Sequence, residues 1–349
     1  MRGVVMHAPG DIRVEELSDP SIEEPTDAVL RLSATCVCGS DLWRYRGEDA
    51  FSSPQHMGHE YVGVVEEIGS AITTLRPGDV VVGSFFASDN TCEICRAGYQ
   101  TSCVHRQLMS GAQSELLRVP LADGTLVAVE GTPDDTQLRG LLAASDVFGT
   151  GWFGARAAQV GPGSTVVVVG DGAVGLLAVL SAKLMGAERI IAMSRHAARQ
   201  EIAREFGATD IVEERGEEGV ELVREMTGGL GAPSVIEAVG TQAAMSQAFR
   251  VTRAGGHLGF VGVSHGVTFE GRDLFMSHVH LHGGPAPVRD YLPDLTSRIM
   301  AKEINPGRVF DLDLPLSEAA EAYRAMDERR AVKALLRPSA PLSASGLIP

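Results

Sequence analysis

Three stretches near the start of the chain, residues 28–33, Tyr61–Ile68 and residues 79–85, carry strand-like apolar runs broken by proline and glycine. They predict an all-β region over roughly the first 130 residues. From Ser164 the texture changes. Apolar strand runs at Thr165–Val169, Arg189–Met193, 208–212, 234–237, 257–263 and 279–282 alternate with helical intervals. Six strands with helices between them predict an α/β region built on a doubly wound parallel sheet. Beyond Gly283 and Gly284, residues 291–336 mix helix and strand, including an amphipathic stretch at 317–329. Periodicity does not assign that segment to either region. Residues 338–349 are small, polar and proline-rich and read as a tail with nothing to bury.

Composition narrows the class. The 349 residues are 44% hydrophobic and 21% charged, which is ordinary globular usage and excludes wholesale disorder. That length predicts about two domains, since single cores stop growing near ~250 residues. Acidic residues exceed basic ones by 45 to 30, a net charge of −15, which argues against a nucleic-acid partner. No run of 18 apolar residues predicts a membrane span, and the N-terminus lacks the pattern of a signal peptide, so the expected location is cytoplasmic. Four of the five cysteines fall in two short clusters near carboxylates or histidine, favouring metal binding or catalysis over a disulfide scaffold.

The run Val166 to Val169 is followed by Gly170, Asp171, Gly172, Ala173, Val174 and Gly175, then by a helical pattern over 176–185. This G-x-G-x-x-G between strand and helix is the fingerprint of a Rossmann dinucleotide site, in which backbone N–H groups and the helix N-terminus face the pyrophosphate. The next strand would end in a carboxylate if it held a ribose 2′-hydroxyl; here Ser194 and Arg195 stand there, with Arg199 one turn on. A hydroxyl and guanidinium groups suit a 2′-phosphate, so NADP(H) is the expected cofactor. The alternatives are an Arg195 that only solvates a helix start, or one that stacks on adenine in an enzyme accepting both cofactors.

Asp89, Cys92, Cys95 and Cys103 follow the order D-x2-C-x2-C-x7-C. Three thiolates and a carboxylate can close a tetrahedron around zinc, leave no place for substrate, and order a surface lobe. Free thiols or a redox pair are the competing reading. Cys38, in Cys38-Gly39-Ser40-Asp41, and His59, in Gly58-His59-Glu60, each sit beside glycine in a turn. They could be ligands of an open zinc site, core residues, or a thiol nucleophile with its partner.

The run G-H-E-x2-G-x5-G from Gly58 to Gly69, with Cys-Gly-Ser-Asp before it and the glycine-rich turn after it, resembles the signature of the zinc-containing medium-chain alcohol dehydrogenases. The resemblance extends over residues 1–338. It implies a catalytic zinc held by Cys38, His59 and Asp146, with Glu60 as an exchangeable fourth ligand. Asp146, in Asp-Val-Phe-Gly-Thr-Gly, matches bacterial members that use aspartate there. It also implies a GroES-like catalytic domain from residues 1–146 and 285–349, and a Rossmann domain from 147–284. Ser40 matches the hydroxyl that relays the alcohol's proton, and Asp41 would orient His59 from behind. Lys333 matches a basic residue reaching the pyrophosphate, and Thr150, Val261 and Val263 match positions near nicotinamide. Relatives of this length imply a homotetramer, with a dimer as runner-up. Two positions depart from the family: Trp43 stands where many members place a relay histidine, and Asp89 replaces the first lobe cysteine.

Other features invite less. His278, His280 and His282 alternate as along one strand and would share a face, which suits a sheet edge or subunit contact as well as metal. The acidic run 213–218 reads as a solvated loop, and Cys36 as a core residue. The expected protein is a zinc-dependent, NADP(H)-preferring alcohol dehydrogenase or carbonyl reductase with two zincs per subunit, acting on a small alcohol, aldehyde or ketone. A sugar or polyol dehydrogenase, a zinc-free quinone or enoyl reductase, and a non-catalytic cofactor-binding protein are the other readings.

Overall fold

The computed structural model describes residues 1–338, and the tail expected at 338–349 lies outside them from residue 339. The chain forms two compact units: Met1–Asp146 with the segment from Pro287 onward, and Val147–Ala286.

The first unit is β-rich. Its largest sheet has seven strands and is centred on Ala28–Cys36, buried along nearly its whole length. This strand runs antiparallel to Tyr61–Ile68, with Thr35 opposite Tyr61. It is also antiparallel to Lys333–Arg337, with Cys36 opposite Leu335. Lys333–Arg337 in turn lies parallel to Phe310–Pro315. The unassigned C-terminal segment therefore completes the sheet that the N-terminal region begins. Antiparallel pairing sets the C-terminal end of Ala28–Cys36 beside the N-terminal ends of its two neighbours. Cys38, Glu60 and Lys333 are thereby brought to one end of the sheet, although far apart in sequence.

The core of this end includes Val4, Met6, Leu42, Met57, Leu336 and the buried Tyr323. Tyr323 belongs to the helix Ala319–Asp327, which follows the 3-10 turn Leu316–Glu318 within the amphipathic stretch expected at 317–329. The other side of the sheet packs around Leu30, Tyr61, Val81 and Leu117.

The second unit has one six-stranded parallel sheet, in the spatial order Asp210–Val212, Arg189–Met193, Thr165–Val169, Ala232–Glu237, Thr252–Phe260, His280–Gly283. The order reverses beside Thr165–Val169, the switch point at which a doubly wound sheet binds its ligand. The first glycine of the fingerprint follows that strand directly.

Two expectations change here. Residues 213–218 are not wholly a loop: the helix Gly216–Met226 starts within them, burying Val220 and Val223, with Glu217 and Glu218 in its first turn, where acidic side chains complement the helix dipole. The three histidines do not share one strand. His278 ends the helix Gly271–Ser277 with φ +53°, and only His280 and His282 lie in the strand that follows. His280 stacks on His257 of the neighbouring strand, centroids 4.5 Å apart, while His282 meets Phe153 edge-on. Among the described residues, no helix is long and apolar enough to cross a membrane.

Candidate active site

Cys38 lies just beyond the end of its strand, where Val37 N–H is held by the Ala334 carbonyl. Gly58 turns the chain into His59 with φ +95°, and a side chain there would also meet the Gln113 backbone nitrogen at 2.5 Å. Only glycine fits both demands. Thr35 Oγ1 donates to the Glu60 carbonyl at 2.8 Å and ties this turn to the strand before Cys38. Asp146 arrives from the other direction, after the helix Asp135–Ala144, whose N-terminus is closed by a capping box of Asp134 and Gln137.

These elements place one ligand atom each from Cys38, His59, Glu60 and Asp146 within 4.8 Å of one another. Asp146 Oδ2 is 3.3 Å from His59 Nε2 and 3.7 Å from Cys38 Sγ. The other imidazole nitrogen, Nδ1, faces Asp41 Oδ1 at 3.7 Å. Asp41 is itself held: its Oδ2 accepts from Cys38 N at 3.0 Å and from Gln113 Nε2 at 3.4 Å, and Gln113 Oε1 accepts from the Tyr323 hydroxyl at 3.1 Å. A carboxylate behind a histidine fixes which ring nitrogen is left for a metal.

The charges of the cluster call for a cation. Burial pushes the Cys38 thiol and the Glu60 carboxyl up; neighbouring acidic groups add to both, and Lys333 opposes the rise. Burial alone would lower His59, yet hydrogen bonds with Asp146 and Cys38 raise it well above its usual value. Glu60 Oε1 accepts from Lys333 Nζ at 2.7 Å, whereas Oε2 is buried without a hydrogen-bond partner. Sulfur, nitrogen and two carboxylates, one with an unsatisfied oxygen, fit the donor set of a zinc site. Lys333, expected to reach a pyrophosphate, is only 1% exposed and donates to Glu60 and to the Val37 carbonyl at 3.1 Å. It packs against the Cys38, His59, Glu60 and Asp146 cluster through Glu60. Ser40 is half-buried and opens the short helix Asp41–Tyr45, which carries Trp43. Cys36 is fully buried.

The lobe forms a second cluster, with ligand atoms of Asp89, Cys92, Cys95 and Cys103 within 4.8 Å. No disulfide forms. Cys92 Sγ accepts from Cys95 N at 3.4 Å, and Cys103 Sγ accepts from Asp89 N and His105 N at 3.4 and 3.3 Å. Backbone N–H groups of Val104 and Cys95 bring Cys92 down to about 7. Cys92 is thereby favoured as a thiolate, whereas burial and the neighbouring sulfurs of Cys92 and Cys103 push Cys95 up; three sulfurs and a carboxylate gathered this closely fit a closed zinc site.

In the second unit the fingerprint glycines lie between Thr165–Val169 and the helix Ala173–Leu184, which Gly172 caps. A side chain at Gly175 would strike the Gly170 carbonyl oxygen at 2.0 Å, so strand and helix can close this tightly only without one. Ala173 and Val174 open the helix, with their N–H groups at its electropositive end. Thr150 is buried in the helix Val147–Ala157, whereas Val263 is exposed and Val261 half-buried after Thr252–Phe260.

Ser194 and Arg199 are joined by a residue that the sequence reading passed over. Asp171 Oδ2 accepts from Ser194 Oγ at 3.0 Å and Oδ1 from Arg199 Nη1 at 3.1 Å. Although burial would raise its pKa, Arg199, Ser194 and the nearby Arg215 lower it overall. Arg195 is exposed beside them. The signal for Asp171 was available, as an acidic side chain inside the glycine fingerprint. Gln113 and His105 had no motif to mark them.

Comparison with known proteins agrees with both halves of the molecule. Residues 24–130 match the alcohol dehydrogenase GroES-like domain, and residues 173–298 match the zinc-binding dehydrogenase domain. The chain is 33% identical to zinc-type alcohol dehydrogenase B of Aspergillus flavus, over 97% of this chain and 81% of that one. Alcohol dehydrogenase TADH from Thermus sp. ATN1 is similar in structure, with TM-score 0.87 and 32% identity over 97% of this chain and 99% of the other. A Sinorhizobium meliloti 1021 protein described as a zinc-binding dehydrogenase, solved bound to NADP, gives TM-score 0.82 and 26% identity over 97% and 99%. With a GroES-like unit, a Rossmann unit and a Cys-His-Asp ligand cluster all in place, the chain belongs to the zinc-dependent alcohol dehydrogenases of the medium-chain dehydrogenase/reductase family.

Proposed function

We propose that the protein is an NADP(H)-preferring alcohol dehydrogenase or carbonyl reductase with two zincs per subunit, one catalytic and one structural. The observation that carries this reading is the convergence of Cys38, His59, Glu60 and Asp146, with Asp146 Oδ2 near both His59 Nε2 and Cys38 Sγ. When bound, zinc supplies Lewis acidity at the substrate oxygen, and NADP⁺ supplies the hydride acceptor. Cys38, His59 and Asp146 hold the metal, and Asp41 keeps His59 turned toward it. Lys333 restrains one oxygen of Glu60 and leaves the other free to exchange. Ser40 accepts the hydroxyl proton of the alcohol and passes it outward. Because Trp43 replaces the usual relay histidine, the proton leaves Ser40 by a route other than that side chain, and the indole supplies an apolar pocket wall.

Met1–Asp146 with the segment from Pro287 forms the catalytic domain and Val147–Ala286 the cofactor domain. In the latter, Gly170, Gly172, Ala173, Val174 and Gly175 receive the pyrophosphate, while Thr150, Val261 and Val263 flank the nicotinamide. Ser194, Arg195 and Arg199 face the 2′-phosphate. Arg195, Arg199 and Arg215 bring positive charge to the Ser194 end of the strand Arg189–Met193, against the carboxylates of Asp171 and Glu213, which supports NADP(H). Asp171 also favours a second reading, in which NAD(H) is accepted, because the Ser194 proton it receives is no longer available to a phosphate. The enzyme works in the cytoplasm as a homotetramer. Turnover of NADPH and NADH with aldehydes, ketones, sugars and polyols tests substrate and cofactor together. Retained activity in a zinc-free Cys38→Ser variant would overturn the mechanism.

A further inference from the structure

A carboxylate that stands in for a thiolate has two oxygens and a rotatable plane, so it is a good fourth ligand only when that plane is held. In the lobe, Asp89 is held on both sides. Its Oδ1 accepts the backbone N–H of Thr91 at 2.8 Å and of Cys92 at 2.9 Å. Its Oδ2 accepts from Nδ1–H of His105 at 2.7 Å. Cys103 brings His105 into reach, since its sulfur receives the N–H of both Asp89 and His105.

The His105 side chain is 69% exposed. An exposed pair of this kind adds little to folding stability and costs side-chain entropy to hold. Its place against a metal-ligand carboxylate is the outer-contact arrangement that orients ligands and raises metal affinity.

We propose that His105 is the positioning residue of the lobe zinc: by holding Asp89 Oδ2 it fixes the carboxylate plane and makes aspartate a competent fourth ligand beside three sulfurs. This inference rests on reading the lobe as a zinc site. It concerns metal retention and takes no part in the reaction.

The test uses the full-length zinc-loaded protein and follows zinc release to a colorimetric chelator, with the absorption of the cobalt-substituted protein as a second readout. Loss of one zinc upon Cys92→Ser substitution first establishes that the lobe holds metal. His105→Ala should then lower affinity for that zinc by about 10- to 100-fold, the usual effect of removing an outer contact to a ligand, read as faster release. His105→Asn keeps a donor near the Nδ1 position and should restore slow release and the parent cobalt spectrum. In an Asp89→Cys background, where a thiolate needs no such support, His105→Ala should have no further effect. Parent-like release from His105→Ala, or equal acceleration in the Asp89→Cys background, would overturn the role of His105. If Cys92→Ser leaves the zinc content unchanged, the lobe is not a zinc site and the reading beneath the proposal fails instead.

Discussion

Lys333 Nζ lies 2.7 Å from Glu60 Oε1, and both side chains are 1% exposed, although 273 residues separate them in sequence. A buried pair of this kind adds little net stability, but removing one partner strands the other charge. Lys333→Met should therefore destabilise the protein by about 3–5 kcal/mol in urea unfolding, and Lys333→Met with Glu60→Gln should recover most of that loss. An unchanged midpoint in the single variant would show that the pair is not held as described.

Cys38→Ser and Asp146→Asn remove proposed ligands from the same cluster without touching the glycine fingerprint. Each should lower kcat by roughly a thousandfold or more, the equivalent of several kcal/mol of lost charge stabilisation, while NADPH binding followed by fluorescence stays near the parent value. Loss of cofactor binding along with turnover would point to a folding defect.

Arg195 offers the simplest test of the proposed cofactor preference, because it is exposed and Asp171 engages Ser194 and Arg199 instead. Arg195→Ala should reduce kcat/KM for NADPH by about 10- to 100-fold, the scale of one charge-assisted hydrogen bond, and leave that for NADH nearly unchanged. Equal losses with both cofactors would remove the 2′-phosphate from consideration.

Gly58 sets the approach of His59. Alanine there would combine a left-handed backbone with a 2.5 Å encounter with the Gln113 nitrogen, so Gly58→Ala should cost on the order of 1–3 kcal/mol in thermal unfolding and weaken zinc retention. A stable variant with full zinc content would show that the turn has room to adjust.

Much of this was readable from sequence because the signals are local. The strand Thr165–Val169, the fingerprint glycines and the candidate lobe ligands from Asp89 to Cys103 each lie within one short segment, where spacing and periodicity act directly. Asp146 lies 108 residues from Cys38, and no spacing rule spans that distance; family resemblance alone suggested it. Lys333 illustrates the opposite case. Family resemblance suggested a cofactor pyrophosphate, but strand pairing at Leu335 and Cys36 carries it to Glu60. The histidines at 278, 280 and 282 looked like one strand face until His278 took a left-handed helix end, a backbone choice that residue alternation does not encode.

Zinc dependence of carbonyl-driven NADPH oxidation tests the proposed chemistry most directly, measured on protein of known zinc content, after chelation, and after zinc is restored. About two zincs per subunit, activity lost with the catalytic metal and regained on its return are expected. Full turnover in the zinc-free protein, or no turnover of any aldehyde or ketone by the fully zinc-loaded protein, would contradict a zinc-dependent alcohol dehydrogenase.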